Sequence, residues 1–92
     1  MKEKKDKNKE DYRKWKSIGY KIVFTNGCFD ILHKGHINYL EESKKLCDKL
    51  IIAINSDSSV KKIKDKNRPI NNQKARVKVL SALNLCDHII VF

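Results

Sequence analysis

Residues 21–36 constrain the fold of this chain most, because they predict a strand, a tight polar turn and the beginning of a helix. Residues 22–24 form a short apolar and β-branched run, which indicates a buried strand. Gly27 allows the backbone to turn, or a ligand to approach the main chain, where a Cβ would clash. His33 and His36 lie three positions apart and therefore share one face of the helix at its first turn.

The predicted start of this helix suits an anion, because its free N–H groups and the positive end of the helix dipole attract negative charge. Two imidazoles at this place indicate a phosphate site. The structural alternative is one packed histidine and one capping histidine, which is the commoner arrangement for two isolated histidines. The polar turn directly before His33 favours the functional interpretation.

These residues also carry a family resemblance. Residues 25–30, followed by His33-Lys34-Gly35-His36, resemble the signature of the cytidylyltransferase-like nucleotidyltransferases, whose hallmark is His-x-Gly-His. The resemblance is strongest to the adenylyltransferase domain of the bacterial heptose kinase/adenylyltransferase and covers residues 15–92. Further positions that match this branch are Trp15, Gly19, Asn55, Ser56, Asp57, Lys64, Arg68, Pro69, Ile70 and Arg76.

The resemblance implies an activity. AMP would pass from ATP to a sugar phosphate, D-glycero-D-manno-heptose 1-phosphate, with release of pyrophosphate and formation of an ADP-sugar for lipopolysaccharide or surface polysaccharide. Two alternatives stay open. One is a cytidylyltransferase that acts on glycerol 3-phosphate or a similar alcohol phosphate, and the other is an inactive nucleotide- or nucleic-acid-binding fragment.

The resemblance also implies roles for individual residues. Such a transfer needs no protein nucleophile, because in-line attack by a phosphate oxygen requires positioning and charge stabilisation. The expected catalytic residues are His33, His36, Thr25 and Lys64. The expected nucleotide-binding residues are Thr25, Asn26, Gly27, Cys28, Phe29, His33, Gly35, His36 and Arg76, and the expected substrate-binding residues are Asp30, Asp57 and Arg68.

The structural alternatives are a locally bonded turn hydroxyl for Thr25, an Asx turn for Asp57 and a structural role for Asp30. Mg²⁺ is expected only as the companion of ATP. A zinc site built from Cys28 and the two histidines lacks a fourth ligand at a suitable spacing, so we expect no metal held by the protein alone. We further expect the charge of a bound triphosphate to outweigh the helix dipole and to favour histidine protonation on binding.

The remaining pattern alternates strands and helices. Residues 34–47 predict a helix that buries Ile37, Leu40 and Cys47, and residues 50–54 predict a strand covered on both faces. Residues 58–70 indicate a basic connection. Asn71 or Asn72 then caps a helix whose inward positions are Ala75, Val79, Ala82 and Leu83, and residues 89–92 predict a third buried strand.

This order predicts an α/β fold, a Rossmann-like parallel sheet with helices on both faces. The family normally continues with a lysine-glycine-glycine segment and a later helix start, so the resemblance implies a domain truncated after the third strand. We expect a basic flexible arm over residues 1–14 and the N-terminal portion of a nucleotidyltransferase domain over residues 15–92. Tyr12 and Trp15 could dock on the body as a helical stub, and no internal repeat is visible.

Charge and composition restrict the partners. The net charge of +10 is concentrated in residues 1–16 and 61–78, which suits a polyanion. One aromatic pair in the arm is too little for a nucleic-acid stacking platform. No stretch approaches a membrane span, no secretory signal follows the N-terminus, and three cysteines fit reduced thiols in the cytoplasm. The expected partners are a nucleoside triphosphate and a phosphorylated small-molecule acceptor, with a homodimer or a complementing domain left open.

Overall fold

The computed structural model describes residues 2–92, and their side chains from residue 9 onward. Three strands and four helices follow one another along this part of the chain. They are α1 (Lys2–Ile18), β1 (Ile22–Gly27), α2 (Lys34–Lys45), β2 (Lys49–Ile54), α3 (Asp57–Ile63), α4 (Gln73–Ala82) and β3 (His88–Val91).

The strands form one parallel sheet in the order β1-β2-β3, which confirms the predicted Rossmann-like architecture. Leu50, Ile52 and Ile54 alternate along β2 and point to the same face, as the two-residue period of a strand requires. Leu40 of α2 and Leu80 of α4 pack on that face and, together with these residues, form the hydrophobic core.

Helix α1 packs on the opposite face, so helices lie on both sides of the sheet as predicted. The ring of Tyr12 lies 5.8 Å from that of Phe24, and the ring of Trp15 stacks at 5.0 Å on that of His88. Asp11 Oδ2 lies 3.0 Å from His88 Nε2. The predicted docking of the two aromatic residues is confirmed, whereas Met1 lies outside the described residues and the division at residue 14 stays a prediction.

The amino edge of the sheet, where the strands begin, is joined by two aspartates. The sequence Leu-Cys-Asp follows α2 at residues 46–48 and follows α4 at residues 85–87. Asp48 Oδ2 accepts from the Lys21 N–H at 2.7 Å, and Asp87 Oδ2 accepts from the Leu50 N–H at 2.8 Å. Each carboxylate therefore ties the beginning of its own strand to the neighbouring strand segment before it in the chain.

Two expectations about β1 and α4 are wrong in detail. Strand β1 is not fully buried, because it lies at the sheet edge, and Phe24 is 57% exposed. Helix α4 turns a different face inward than its apolar spacing predicts. Arg76 and Leu80 are buried while Val79 is half exposed, since the Arg76 side chain finds its hydrogen-bond partners at the sheet.

The basic connection predicted over residues 58–70 contains a helix. The Ser56 side chain caps α3 by accepting from the Ser59 N–H at 3.2 Å, and Val60 is fully buried. The cap satisfies a free N–H at the start of this helix, and Val60 anchors the helix in the core. No helix in the described part of the chain is both long and apolar enough to cross a membrane.

Candidate functional site

The carboxyl edge of the sheet, where the strands end, collects most of the predicted site residues. The Asn55 N–H donates to the Gly27 carbonyl at 3.2 Å, and the Ser56 N–H donates to the Phe92 carbonyl at 2.6 Å. These bonds hold the ends of all three strands side by side. Ligands of open α/β sheets bind outside the carboxyl ends of the strands, so the location agrees with a binding site.

The turn after β1 folds an aromatic ring back over the strand end. Phe29 has a left-handed φ of 49° and is 8% exposed. A Cβ on Gly27 would lie 3.0 Å from Phe29 Cε2, so the ring occupies the space that a side chain at Gly27 would need. The edge of the same ring contacts His36, with 5.6 Å between the ring centroids. Gly27 and Phe29 therefore form a platform for the helix start.

Helix α2 begins in a capping box made of two histidines, in which each side chain accepts a main-chain N–H. His33 is the N-cap, and its Nδ1 accepts from the Gly35 N–H at 3.0 Å. His36 Nδ1 accepts in turn from the His33 N–H at 3.3 Å. Gly35 leaves room for the capping ring, because a Cβ at this position would lie 2.8 Å from His33 Cε1.

The two imidazoles lie against each other, with 4.0 Å between their centroids. Burial of His36, and then the nearby His33, lower the pKa of His36 below its usual value. The structural alternative of one capping and one packed histidine is thus partly realised. It does not exclude a binding role, because capping uses only Nδ1 of each ring and leaves Nε2 outside these bonds.

The other expected nucleotide-binding residues of β1 and its turn are close by. The Thr25 side chain is buried, and its hydroxyl donates to the Tyr39 hydroxyl of α2 at 3.2 Å, a long-range bond rather than a local one. Asn26 is exposed at the strand end. Cys28 Sγ lies 3.5 Å from Asn55 Oδ1. Tyr39 and Asn55 were not among the predicted site residues.

Asp30 organises the segment before α4. Its carboxylate accepts from Arg68 Nε at 2.6 Å and from the N–H groups of Ile70 and Asn71 at 2.9 and 2.8 Å. Burial alone would raise the pKa of Asp30, but the N–H groups of Asn71 and Ile70 and the Arg68 guanidinium outweigh it and lower the pKa below its usual value. The buried carboxylate and Arg68 therefore hold the loop over residues 68–71 against the β1 turn.

Arg76 joins the carboxyl ends of two strands to the starts of two helices. It is 2% exposed. Its guanidinium donates to the carbonyls of Cys28 at 2.8 Å, Asn55 at 2.6 Å and Asn71 at 3.0 Å, and to Asp57 Oδ1 at 2.9 Å. Arg76 was predicted to bind nucleotide. In the structure, its guanidinium donors already bind three main-chain carbonyls and one carboxylate.

Asp57 and Lys64 occupy the two ends of α3. Asp57 Oδ1 also accepts from the Gln73 N–H at 2.7 Å, so Asp57 links α3 to α4 instead of forming an Asx turn, and its Oδ2 takes part in neither bond. Lys64 is the C-cap residue of α3 and is exposed. Among the described residues, no group of three His, Cys, Asp or Glu side chains is placed to hold a metal ion.

The fold and this site define a class of protein. The family model described as cytidylyltransferase-like matches residues 24–92, and the chain belongs to this family. The match includes the β1 turn, the histidine capping box and all three strand ends.

Three individual proteins are similar to this chain over most of its length. The chain is 54% identical over 79 residues to the bifunctional protein HldE of Hyphomonas neptunium and 57% identical over 77 residues to that of Haemophilus influenzae, which covers 86% and 84% of the chain. It spans only 16% of the length of each of these relatives. A solved structure, the lipopolysaccharide core biosynthesis protein from Thermoplasma volcanium, is similar with a TM-score of 0.70 and 39% identity over 80% of this chain and 59% of that one.

Proposed function

We propose that this chain binds ATP at the carboxyl edge of the sheet and takes part in adenylyl transfer to a heptose 1-phosphate. The observation that supports the proposal is the start of α2, where a helix N-terminus and two imidazoles, whose Nε2 atoms the cap does not use, lie beside the glycine turn of β1. Helix N-termini favour anions, and hydrogen-bond donors aimed at the phosphates stabilise the charge that develops during transfer.

His33 and His36 would contact the phosphates, and the main-chain N–H groups of Gly27 and Phe29 would line the approach. Thr25, held by Tyr39, would fix the end of β1 beneath them. Lys64 is exposed and could reach a phosphate once nucleotide is bound. In this proposal the protein positions both phosphates and stabilises charge, and it forms no covalent intermediate.

Mg²⁺ would arrive with ATP, held mainly by phosphate oxygens and water. The donor set fits this limited role, because both carboxylate oxygens of Asp30 accept protein N–H groups. Of the two aspartates at this edge of the sheet, Asp57 keeps one carboxylate oxygen, Oδ2, outside the bonds described above. Mg²⁺ would neutralise charge on the departing pyrophosphate.

We assign Asp30, Arg68 and the loop that they hold to the acceptor side of the site, next to the β1 turn. The choice of a heptose 1-phosphate rests on the similarity to HldE and to the lipopolysaccharide core biosynthesis protein. The product would be an ADP-heptose, and we place the reaction in the cytoplasm, where ATP is available.

Titration of the 92-residue chain with Mg-ATP and with Mg-CTP, followed by backbone amide NMR, tests the nucleotide. We expect saturable shifts at residues 27–36 with ATP and weaker ones with CTP. Pyrophosphate release with D-glycero-D-manno-heptose 1-phosphate, compared with glycerol 3-phosphate, tests the acceptor. A preference for CTP and glycerol 3-phosphate would replace the proposal by the cytidylyltransferase alternative, and salt-sensitive binding of oligonucleotides without nucleotide binding would support the inactive fragment.

A further inference from the structure

The capping box of α2 determines where the protons of its two histidines lie. His33 Nδ1 and His36 Nδ1 each face a main-chain N–H, at 3.0 and 3.3 Å. A nitrogen that accepts a hydrogen bond carries no proton, so a neutral ring in this position holds its proton on Nε2. An imidazolium would instead direct an N–H at an N–H, and the cap would be lost.

We propose that His33 and His36 meet the phosphates as neutral imidazoles, each donating one hydrogen bond from Nε2, and that Gly35 is a positioning residue that keeps His33 in this tautomer. The inference rests on the proposed nucleotide site and specifies how that site recognises an anion. It is opposite to the protonation expected from the charge of the triphosphate alone.

Three contacts favour the neutral pair over two imidazolium ions. The rings are only 4.0 Å apart, so two positive charges would repel each other at close range. Phe29 packs against His36, with 5.6 Å between the ring centroids, and the partial burial of His36 removes water that would solvate a charge. The helix N-terminus adds positive potential at the same place. The charge of the phosphates opposes all three, and loss of two caps adds to the cost of protonation.

Gly35 makes this arrangement possible. A Cβ at residue 35 would lie 2.8 Å from Cε1 and 3.1 Å from Nδ1 of His33. The His33 ring would then have to swing away and would give up the Gly35 N–H. The glycine therefore acts on the phosphate through the tautomer of its neighbour.

Nitrogen NMR of the ¹⁵N-labelled chain at neutral pH, with and without Mg-ATP, tests the charge state directly. We expect an unprotonated Nδ1 and a protonated Nε2 in both histidines, free and bound. His88, the third histidine of the chain, lies at the amino edge of the sheet and serves as the internal control. A protonated Nδ1 in His33 or His36, in the free chain or in the complex, would overturn the proposal.

Three substitutions of His36 separate a neutral donor from a charge. Glutamine at this helix position can accept the N-cap N–H through Oε1 and still donate from Nε2, whereas glutamate can only accept. We expect His36→Gln to bind Mg-ATP about tenfold more tightly than His36→Ala, a difference of ~1.4 kcal/mol, and His36→Glu to bind most weakly. Equal affinities of His36→Gln and His36→Ala would contradict the proposal that residue 36 donates a hydrogen bond to phosphate. Equal affinities of His36→Gln and His36→Glu would show that residue 36 acts only as a cap acceptor.

Gly35→Ala tests the positioning role by the same nitrogen signals. We expect His33 to show a mixture of tautomers while His88 is unchanged, and a His33 spectrum identical to that of the unmodified chain would refute this role. If Gly35→Ala does not fold, the free unmodified chain still decides the tautomer. If the unmodified chain binds no ATP, the proposed function fails, whereas the proton positions are measured all the same.

Discussion

The starts of α2 and α4 show two ways to cap a helix. At α4, Asn72 accepts the Ala75 N–H at 2.8 Å, which is the usual solution with a short polar side chain. At α2, the same task falls to His33 and His36, whose rings are larger and rarely chosen as caps. Each imidazole keeps a second ring nitrogen, Nε2, outside the cap. The difference is what the proposed phosphate site requires, since a cap at α4 needs only an acceptor and the start of α2 would also need donors.

The largest effect is expected for His36→Ala, which removes the cap acceptor and the phosphate donor together. Loss of one transition-state donor lowers turnover by ~10²–10³-fold. Pyrophosphate release per folded molecule measures it, with His88→Gln as the matched histidine control at the other edge of the sheet. Turnover of His36→Ala within about threefold of the unmodified chain would remove His36 from the site.

Asn72→Ala should break the cap of α4 without affecting a phosphate donor. We expect the free energy of unfolding to fall by ~1 kcal/mol, because a good N-cap is replaced by a poor one. Urea unfolding measures the loss. The affinity for Mg-ATP, measured without urea where the variant is folded, should change by less than about twofold. A loss of affinity as large as that of His36→Ala would abolish the distinction between the two helix starts.

His33→Ser places a usual cap at α2 and removes the Nε2 that the cap leaves unused. The free energy of unfolding should rise by a few tenths of a kcal/mol while the affinity for Mg-ATP falls, since serine caps well but cannot reach the phosphates. Urea unfolding and calorimetric titration of the same samples measure both. An affinity for Mg-ATP that is unchanged or higher would remove His33 from the proposed phosphate site.

Acidification should loosen α2 but not α4. The pKa of His36 is lowered by burial and by His33, so the unfolded chain binds the proton more tightly, and stability falls as the pH drops below the usual histidine value of about 6.5. Amide exchange in the first turn of α2 should therefore speed up towards pH 5 relative to that of α4, after correction for the intrinsic rate. Parallel changes in both helices would contradict this asymmetry.

The sequence predicted elements that depend on local pattern and missed features that depend on long-range bonds. The three strands, α2 and the Asn72 cap follow from apolar runs and capping residues close together in the chain. The buried Arg76 could not be found this way, because its partners lie up to 48 positions away. An arginine in an apolar helix pattern counts as a solvent-facing position until its acceptors are known.

The same distinction between local pattern and three-dimensional contacts applies to the candidate site. The pair His33 and His36 was visible in the sequence, since their spacing and the glycine between them are local. That Nδ1 of each ring is used for capping required the backbone geometry. The repeat of Leu-Cys-Asp before β2 and β3 was visible in the letters, but its meaning appears only when each aspartate contacts the neighbouring strand.

The most direct test of the account is the backbone amide spectrum of the unmodified chain during titration with Mg-ATP. If nucleotide binds at the start of α2, saturable shifts are expected in residues 27–36, where β1 ends and α2 begins. The signals of Asp48 and Asp87 at the amino edge should be unchanged. Saturable shifts that leave residues 27–36 untouched, or no binding at all, would contradict it.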